Sequence, residues 1–253
     1  MKKNTLIKIF LRSFFIHATL NFRRMQNLGF AYAILPLIRE QQIKGQDARD
    51  SLTRHLQMFN THPYLSTPVI GSIVRMEEEA TSPMDVAAAS TVKQSLMGPY
   101  AAIGDTFFWG ALRPCAAIIA IVLAFEGLKV APLLFLLLYT PVHAWVRIAG
   151  FVAGYKKGKQ GIEFIRGLNL PRLAVRVRWL SLAVLAACVF WLLQGGYSEF
   201  SALSCIVVES VALALILLCL LLIKKGISQV YILYGAVLIF LVYSLSEIAI
   251  WSS

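Results

Sequence analysis

The sequence predicts an all-α integral membrane protein with an irregular N-terminal half, built of amphipathic and re-entrant or broken helices, and a C-terminal half of regular transmembrane helices. Hydrophobic residues make up 58% of the 253 residues, and the mean hydropathy is +0.70, whereas soluble domains contain about 45–50% apolar residues. The formal net charge is +11, but the lysines and arginines lie between apolar segments instead of forming a basic stripe. We interpret them as topology signals of a multi-pass protein in the lipid bilayer and expect no nucleic-acid partner.

Residues 1–62 are predicted to form a cytoplasmic or interfacial amphipathic region. Ten lysines or arginines stand against three acidic residues in this stretch, which favours the cytoplasmic face of the membrane. Between residues 47 and 60, apolar residues recur at helical spacing. This pattern predicts a helix that lies on the membrane surface.

Residues 63–154 are predicted to form a core of broken helices that carries the substrate path. The apolar pieces are more interrupted than an ordinary span of about 20 residues. They cover 64–76, 86–104 and 106–125. We expect Gly98, Pro99 and Gly104 to break the helix, and irregular backbone at membrane depth needs protein or a water-lined cavity to satisfy its polar groups. A more regular span is predicted over 130–151.

The remaining residues are predicted to form a basic cytoplasmic loop and then a transmembrane scaffold. The loop, 155–178, carries seven lysines or arginines and one glutamate. The scaffold, 179–253, contains three near-continuous apolar segments. They cover 179–193, 204–223 and 230–251.

Asp105 and Arg113 place a carboxylate and a guanidinium among small and aromatic residues. An ionisable group at membrane depth costs roughly 2.5–3.5 kcal/mol, so it is retained where it has a partner or faces a polar path. Eight residues separate the two, which puts them about two turns apart on one side of a continuous helix and out of mutual contact. We interpret them as part of a solute site; the alternative is a buried structural ion pair that holds re-entrant pieces together.

Two amide-bearing segments are further candidates for a substrate site. Asn21 and Gln26 supply the donors and acceptors that hydroxyl-rich ligands need, although the same pattern fits a helix whose polar side meets water at the membrane surface. Asn60 and His62 precede a proline, which favours extended geometry at His62 and a turn that presents both side chains to a cavity. The alternative for this turn is a helix cap.

Glu77 and Glu78 complete the predicted substrate-binding residues. They belong to three adjacent carboxylates, at least one of which needs a cation or a hydrogen-bond donor, and Arg75 or Arg113 is suited to that pairing. A solvated acidic turn explains the same residues. The sequence contains no catalytic or nucleotide-binding signature and no metal-ligand spacing, so we predict no catalytic residue, metal or cofactor on this chain.

Several segments, read together and in order, resemble a known family across residues 5–160. They are RSFFIHATLNFRRMQNLGFAYAILPLI (12–38), RHLQMFNTHPYL (54–65) and LMGPYAAIGDTFFWGALRP (96–114). The chain resembles the IID membrane component of the mannose/fructose/sorbose-type sugar phosphotransferase system, or PTS. Residues 161–253 match only in hydropathy.

This resemblance implies a permease subunit in the bacterial plasma (inner) membrane that forms a sugar channel with a IIC subunit, in trimers of IIC–IID pairs. It also implies cytoplasmic IIA and IIB phosphocarriers, the second of which phosphorylates a hexose or amino-hexose as the sugar crosses. The phosphoryl-transfer residues are then expected on partner subunits, so whether this chain counts as an enzyme stays open.

Two departures keep other functions open. Arg23 stands where the family has a glutamate, and the loop at 194–203 is shorter than the resemblance leads us to expect. A second hypothesis is therefore a PTS-derived regulatory or receptor protein that binds partners without transporting sugar. A third, an intramembrane enzyme acting on lipid, lacks a catalytic constellation.

Overall fold

A computed structural model describes residues 1–195 and isolated positions between 210 and 238. The chain divides into two compact units, Met1–Val189 and Phe190–Ser253. All eight predicted site residues lie in the first unit. The predicted segments at 194–203, 204–223 and 230–251 fall almost wholly outside the described residues.

The described residues fold mainly into helices. Outside these helices, isolated β-bridges join Met25 to Asn21 and to Phe59. This confirms the predicted all-α class. The α-helices are α1 (Lys3–Ser13), α2 (Asn27–Glu40), α3 (Gly45–His55), α4 (Ser66–Glu79), α5 (Pro83–Gly104), α6 (Arg113–Phe125), α7 (Ala131–Lys157), α8 (Glu163–Leu168) and α9 (Leu170–Gly195). A π-helical segment, Asp105–Leu112, joins α5 to α6, and short 3₁₀ turns cover Phe14–Ile16 and Gly158–Ile162.

The helix from Pro83 to Phe125 runs without a break, which corrects the expectation of separate pieces there. It starts at a capping box, in which Ser82 and Asp85 each bond the other's backbone N–H, and it continues through Pro99. The proline removes one backbone hydrogen bond, but the helix changes its winding later, in the π-helical segment.

Two helical stretches among the described residues are long and apolar enough to cross a membrane, Pro83–Phe125 and Ala131–Gly161. The second contains the predicted span at 130–151. It packs against α4 in the most extensive helix contact of the described residues. Gly71, Gly150 and Gly154 lie at this contact, and a Cβ added at Gly71 would come within 2.5 Å of a backbone oxygen of α7. Small residues therefore let the two helices approach closely.

The helix predicted within 47–60 is present as α3, which ends at His55; its place on the membrane surface stays a prediction. The basic stretch 155–178 is not the predicted loop, because α7, α8 and α9 cover most of it. Asn169, at φ 49°, makes the turn between α8 and α9. The basic residues of this stretch therefore lie on helices, and the span expected from residue 179 begins at Leu170.

Candidate functional site

Two segments distant in sequence, residues 21–27 and 59–64, are joined by hydrogen bonds at the base of the candidate site. The side-chain amide of Gln26 donates to the carbonyl of Thr61 at 2.7 Å, and its oxygen accepts from the N–H of Thr61 at 3.1 Å. The backbone N–H of Gln26 donates to the carbonyl of Phe59 at 2.8 Å. Gln26 is buried, so its amide positions the second segment.

Asn21 organises the turn that precedes Gln26. Its side-chain oxygen accepts from the N–H of Arg24 at 2.8 Å, and its amide nitrogen donates to the side chain of Asn27 at 2.8 Å. Met25 completes the turn in the left-handed region, at φ 58°. The turn leaves Arg23 exposed.

His62 lies at the centre of an aromatic cluster. Its ring stacks on Phe108 at 5.1 Å between centroids and meets Trp109 edge-on at 4.7 Å. A Cβ added at Gly104 would overlap the side chain of His62. The helix that carries Phe108 and Trp109 therefore approaches His62 through a glycine.

The protonation state of His62 follows from this burial. Its Nδ1 accepts a hydrogen bond from the N–H of Tyr64 at 3.2 Å, which assigns the proton to Nε2. Burial, joined by the charges of Arg147, His17 and His143, lowers the pKa of His62 to about 3. Nε2 is a buried donor that has no hydrogen-bond partner in the described part of the chain.

Asp105 begins the π-helical segment, one residue after Gly104. π-helical turns are rare and are often found at functional sites. Asp105 is exposed, and no described residue forms a hydrogen bond or an ion pair with its carboxylate. Arg178 of α9 supports the segment from outside by donating to the carbonyls of Gly110 at 3.1 Å and Thr106 at 3.4 Å.

Asn60 lies two residues before His62 and is half-buried. Its backbone N–H contacts the sulfur of Met97 on α5 at 3.3 Å, while its side-chain amide has no hydrogen bond to any described residue. The structure thus brings His62 against Gly104, at the start of the π-helical segment that carries Asp105, and Asn60 against Met97, about two turns earlier on the same helix. We call Asn60, His62 and Asp105 the polar triad.

Glu77 is in a different place, where α3 meets α4 and α5. One of its oxygens lies 3.3 Å from Nε2 of His55, and the other lies 3.4 Å from Arg54. Lys93 closes the cluster by donating to the carbonyl of Arg54 at 3.1 Å. Burial raises the pKa of Glu77, but the interactions with His55 and Arg54 outweigh it, so the net direction is down. This glutamate holds helices together.

Glu78 and Arg113 also lie apart from the polar triad. Glu78 accepts a hydrogen bond from Tyr155 of α7 at 2.7 Å and pairs with Arg75 at 3.5 Å. Arg113 is exposed and has neither a hydrogen bond nor an ion pair with a described residue. Asp105 and Arg113 therefore do not form the structural ion pair considered as the alternative from the sequence.

Arg147 is a residue of this region that the choice of site residues missed. It is buried, donates to the carbonyl of Pro63 at 3.4 Å and lies over the ring of Tyr64 at 5.0 Å. The ring of Tyr64 also stacks with His143, at 4.3 Å between centroids. His143 and Arg147 are four residues apart, so their common helix face was readable from the sequence.

Comparison with known proteins decides the family. Residues 1–249 match the family model described as the PTS system mannose/fructose/sorbose family IID component. The chain belongs to this family. The resemblance found from the sequence is thereby confirmed.

The curated relatives of this IID component are named for several different sugars. It is 35% identical over 191 residues to the fructose permease IID component of Bacillus subtilis (strain 168), covering 75% of this chain and 70% of the relative. It is 36% identical over 184 residues to the mannose-specific EIID component of Escherichia coli (strain K12), covering 72% and 65%. The sorbose-specific EIID component of Klebsiella pneumoniae is 35% identical, with 73% and 68% covered. The aligned part thus spans about two thirds of each relative.

Two solved structures resemble the IID component along nearly its whole length. One, described as the structure of a membrane protein, has a TM-score of 0.75 at 29% identity and covers 98% of this chain and 97% of its own. The other, the mannose transporter ManYZ in complex with microcin E492, has a TM-score of 0.60 at 28% identity with the same coverage. Together with the apolar helices, these likenesses identify a membrane protein of the sugar-transporting PTS.

Proposed function

We propose that this IID component pairs with a IIC subunit and translocates a hexose or amino-hexose, coupled to phosphorylation of the sugar by a IIB component. The observation that carries the proposal is the placement of Asp105. A carboxylate that no described residue neutralises begins a π-helical segment within an apolar helix, one residue after the glycine that contacts the side chain of His62. A charge in that position needs a polar path or a partner from another chain.

The polar triad offers the chemistry that a sugar needs. Asp105 accepts hydrogen bonds, neutral His62 donates one from Nε2, and the amide of Asn60 does both, which suits hydroxyl groups. Trp109 is 41% exposed beside His62, and binding pockets commonly combine such an aromatic surface with a few polar groups. We therefore assign substrate contact to Asp105, Asn60 and Trp109, and to the buried Nε2 of His62 once the rings packed around it move aside.

The other predicted site residues receive different roles. Asn21 and Gln26 position the turn that holds His62 and act on the sugar through it. Glu77 and Glu78 hold helices together, and Arg113 is left for a contact with a partner chain or with lipid headgroups.

The partners that we propose rest on the family and on the phosphoryl-transfer residues, which are expected on other subunits. The E. coli relative is a mannose-specific EIID component, and the similar solved structure is of a mannose transporter, ManYZ. We propose IIC as the neighbour in the membrane, IIA and IIB as the cytoplasmic phosphocarriers, and a trimer of IIC–IID pairs. The location is the bacterial inner membrane, which the chain crosses several times.

The test is uptake of radiolabelled hexoses and amino-hexoses by cells that carry the whole gene set with Asp105→Asn. Loss of a charged hydrogen-bond partner is worth about 1.5–3 kcal/mol, so we expect uptake to fall by roughly tenfold to a hundredfold. The amount of protein in the membrane fraction should stay the same. Glu126→Gln, which neutralises an exposed acid after α6, is the matched control and should transport normally.

Normal transport by Asp105→Asn would refute the assignment of the site. If the wild-type set phosphorylates no sugar from the panel while this chain still binds its partners, the receptor hypothesis replaces the transporter. The exposed Phe22 and Arg23 at the tip of the Asn21 turn would then be the first contact surface to examine.

A further inference from the structure

A groove lies between α1 and α7, away from the polar triad. The two helices run antiparallel, because Phe10 contacts Phe151 at 5.4 Å between ring centroids, while Phe14, just after the end of α1, contacts Arg147, earlier in α7. Next to the Phe10–Phe151 contact, α1 and α7 border an open volume of about 390 Å³. We call this volume the α1–α7 groove.

The walls of the α1–α7 groove are apolar. Leu6, Ile7, Ile148 and Val152 line it, and Ile7 and Ile148 are 48% and 54% exposed. Exposed aliphatic side chains are costly in water but favourable in the acyl region of a bilayer. Since α7 belongs to a stretch, Ala131–Gly161, that is long and apolar enough to cross a membrane, we place these walls at the depth of lipid chains.

The open end of the groove carries positive charge. Lys3 comes from the first turn of α1 and Lys156 from the last turn of α7, and both line the groove and are exposed. Their stems can run along apolar surface while their ammonium groups reach the headgroup layer. The nearby carboxylate of Glu78 is paired with the N-terminal ammonium of Met1 and with Arg75, and it accepts a hydrogen bond from Tyr155, so it does not cancel the two lysines.

We infer that the α1–α7 groove binds an anionic phospholipid, with one acyl chain between the helices and the phosphate between Lys3 and Lys156. Basic pockets between membrane helices bind anionic headgroups through such charge complementarity. A peptide helix would need a wider and less charged groove. A free anion would gain no binding energy from the apolar walls. The combination of apolar walls, membrane depth and two lysines at one end fits a lipid.

The test compares phosphatidylglycerol with phosphatidylcholine on the purified full chain in detergent, by native mass spectrometry and thermal unfolding. We expect phosphatidylglycerol to bind more tightly and to stabilise the protein more. Removing both charges with Lys3→Gln and Lys156→Gln should weaken phosphatidylglycerol binding on the order of tenfold and leave phosphatidylcholine unchanged. Lys8→Gln with Lys157→Gln removes two charges from the same helices outside the groove and should keep the preference.

A second arm tests the apolar walls without changing charge. Val152→Trp fills the groove and should reduce binding of both lipids, whereas Val175→Trp, on the exposed surface of α9, should not. Glycerol phosphate at the same concentration should give no stabilisation, because it has a headgroup but no chain. An unchanged preference after loss of Lys3 and Lys156, an equal effect of the control pair, or stabilisation by glycerol phosphate would each overturn the lipid site.

Discussion

Gly104 is the single residue on which the aromatic cluster around His62 depends most directly. An alanine there would place a methyl group against the side chain of His62, with Nδ1 only 3.0 Å away and Cβ and Cγ closer still. We expect Gly104→Ala to destabilise the protein by about 1–3 kcal/mol, the range for overpacking, and to weaken sugar uptake. Thermal unfolding in detergent and the uptake assay measure the two effects.

Gly98 provides a matched control for this substitution on the same helix. No atom lies within 4 Å of a Cβ added there, and alanine is favoured over glycine in a helix interior by up to about 1 kcal/mol. Gly98→Ala should therefore be neutral or slightly stabilising. Equal loss of stability in the two variants would contradict the role given to the His62 contact, because alanine at position 98 meets no other atom and is favoured by helix propensity.

Glu77 makes stability depend on pH in a defined direction. Its pKa is lower in the folded protein than in the unfolded chain, where a glutamate titrates near 4.3. Between the two values the unfolded chain binds more protons, so the stabilisation is complete above about pH 4.3 and is lost as pH falls through the folded pKa. We expect Glu77→Gln to lose about 1–3 kcal/mol at pH 7.

The measurement is the unfolding midpoint of wild type and Glu77→Gln from pH 7 to pH 3. The difference between the two curves isolates this residue, because other carboxylates titrate in both proteins. It should be largest near neutral pH and shrink in the acid range. A difference that stays constant with pH would mean that Glu77 stabilises the α3–α4–α5 junction by shape and not by charge.

At the scale of elements, the pairing of α4 with α7 depends on glycines. Gly150 and Gly154 are one turn apart on the face of α7 that meets α4, and a Cβ at Gly154 would lie 2.9 Å from the backbone nitrogen of Ser72 and closer still to the carbonyl of Pro68. Backbone atoms cannot move aside as a side chain does. We expect Gly154→Ala to cost about 1–3 kcal/mol in thermal unfolding.

Gly167→Ala is the control for this prediction, since nothing lies within 4 Å of a Cβ there. Gly154→Ala should also lower the protection of α4 amides from hydrogen exchange, because the two helices would be pushed apart. Unchanged exchange in α4 would contradict a direct backbone contact.

Sequence patterns predicted the structure best where the feature in question depends on a single helix. Helical spacing within 47–60 predicted α3, and apolar length predicted the span at 130–151. The break expected at Gly98 and Pro99 did not appear, because a long helix tolerates one lost hydrogen bond. The irregular backbone lies instead in the π-helical segment, which the amino-acid composition does not reveal.

The site shows the same limit, since burial and pairing are properties of several elements at once. The amide of Gln26 looked suited to a sugar, yet the backbone of Thr61 occupies both its donor and its acceptor. Glu77 and Glu78 are adjacent in sequence but contact different helices. Which groups remain free for a ligand depends on these tertiary contacts, and residue type alone does not fix them.

On the scale of the whole molecule, the proposed function assigns passage and binding to this chain and phosphate transfer to other subunits. The sequence has four histidines, and two of them, His55 and His62, are buried. A phosphohistidine has to be reachable by another protein, which leaves exposed His17 as the best-placed acceptor on this chain. Its ring contacts Trp109 edge-on at 6.3 Å, and no acid or base is paired with it in the described part of the chain.

We therefore expect membranes that contain only this subunit to transfer no phosphate to sugar, and the set with IIA, IIB and IIC to do so at the expense of phosphoenolpyruvate. Omitting any one partner should reduce sugar phosphorylation to background. With radiolabelled phosphoenolpyruvate, label should appear on the phosphocarriers and on the sugar, and His17→Gln should leave the rate unchanged. Covalent label on this chain that disappears in His17→Gln would contradict the division of labour, because the membrane subunit would then carry phosphate itself.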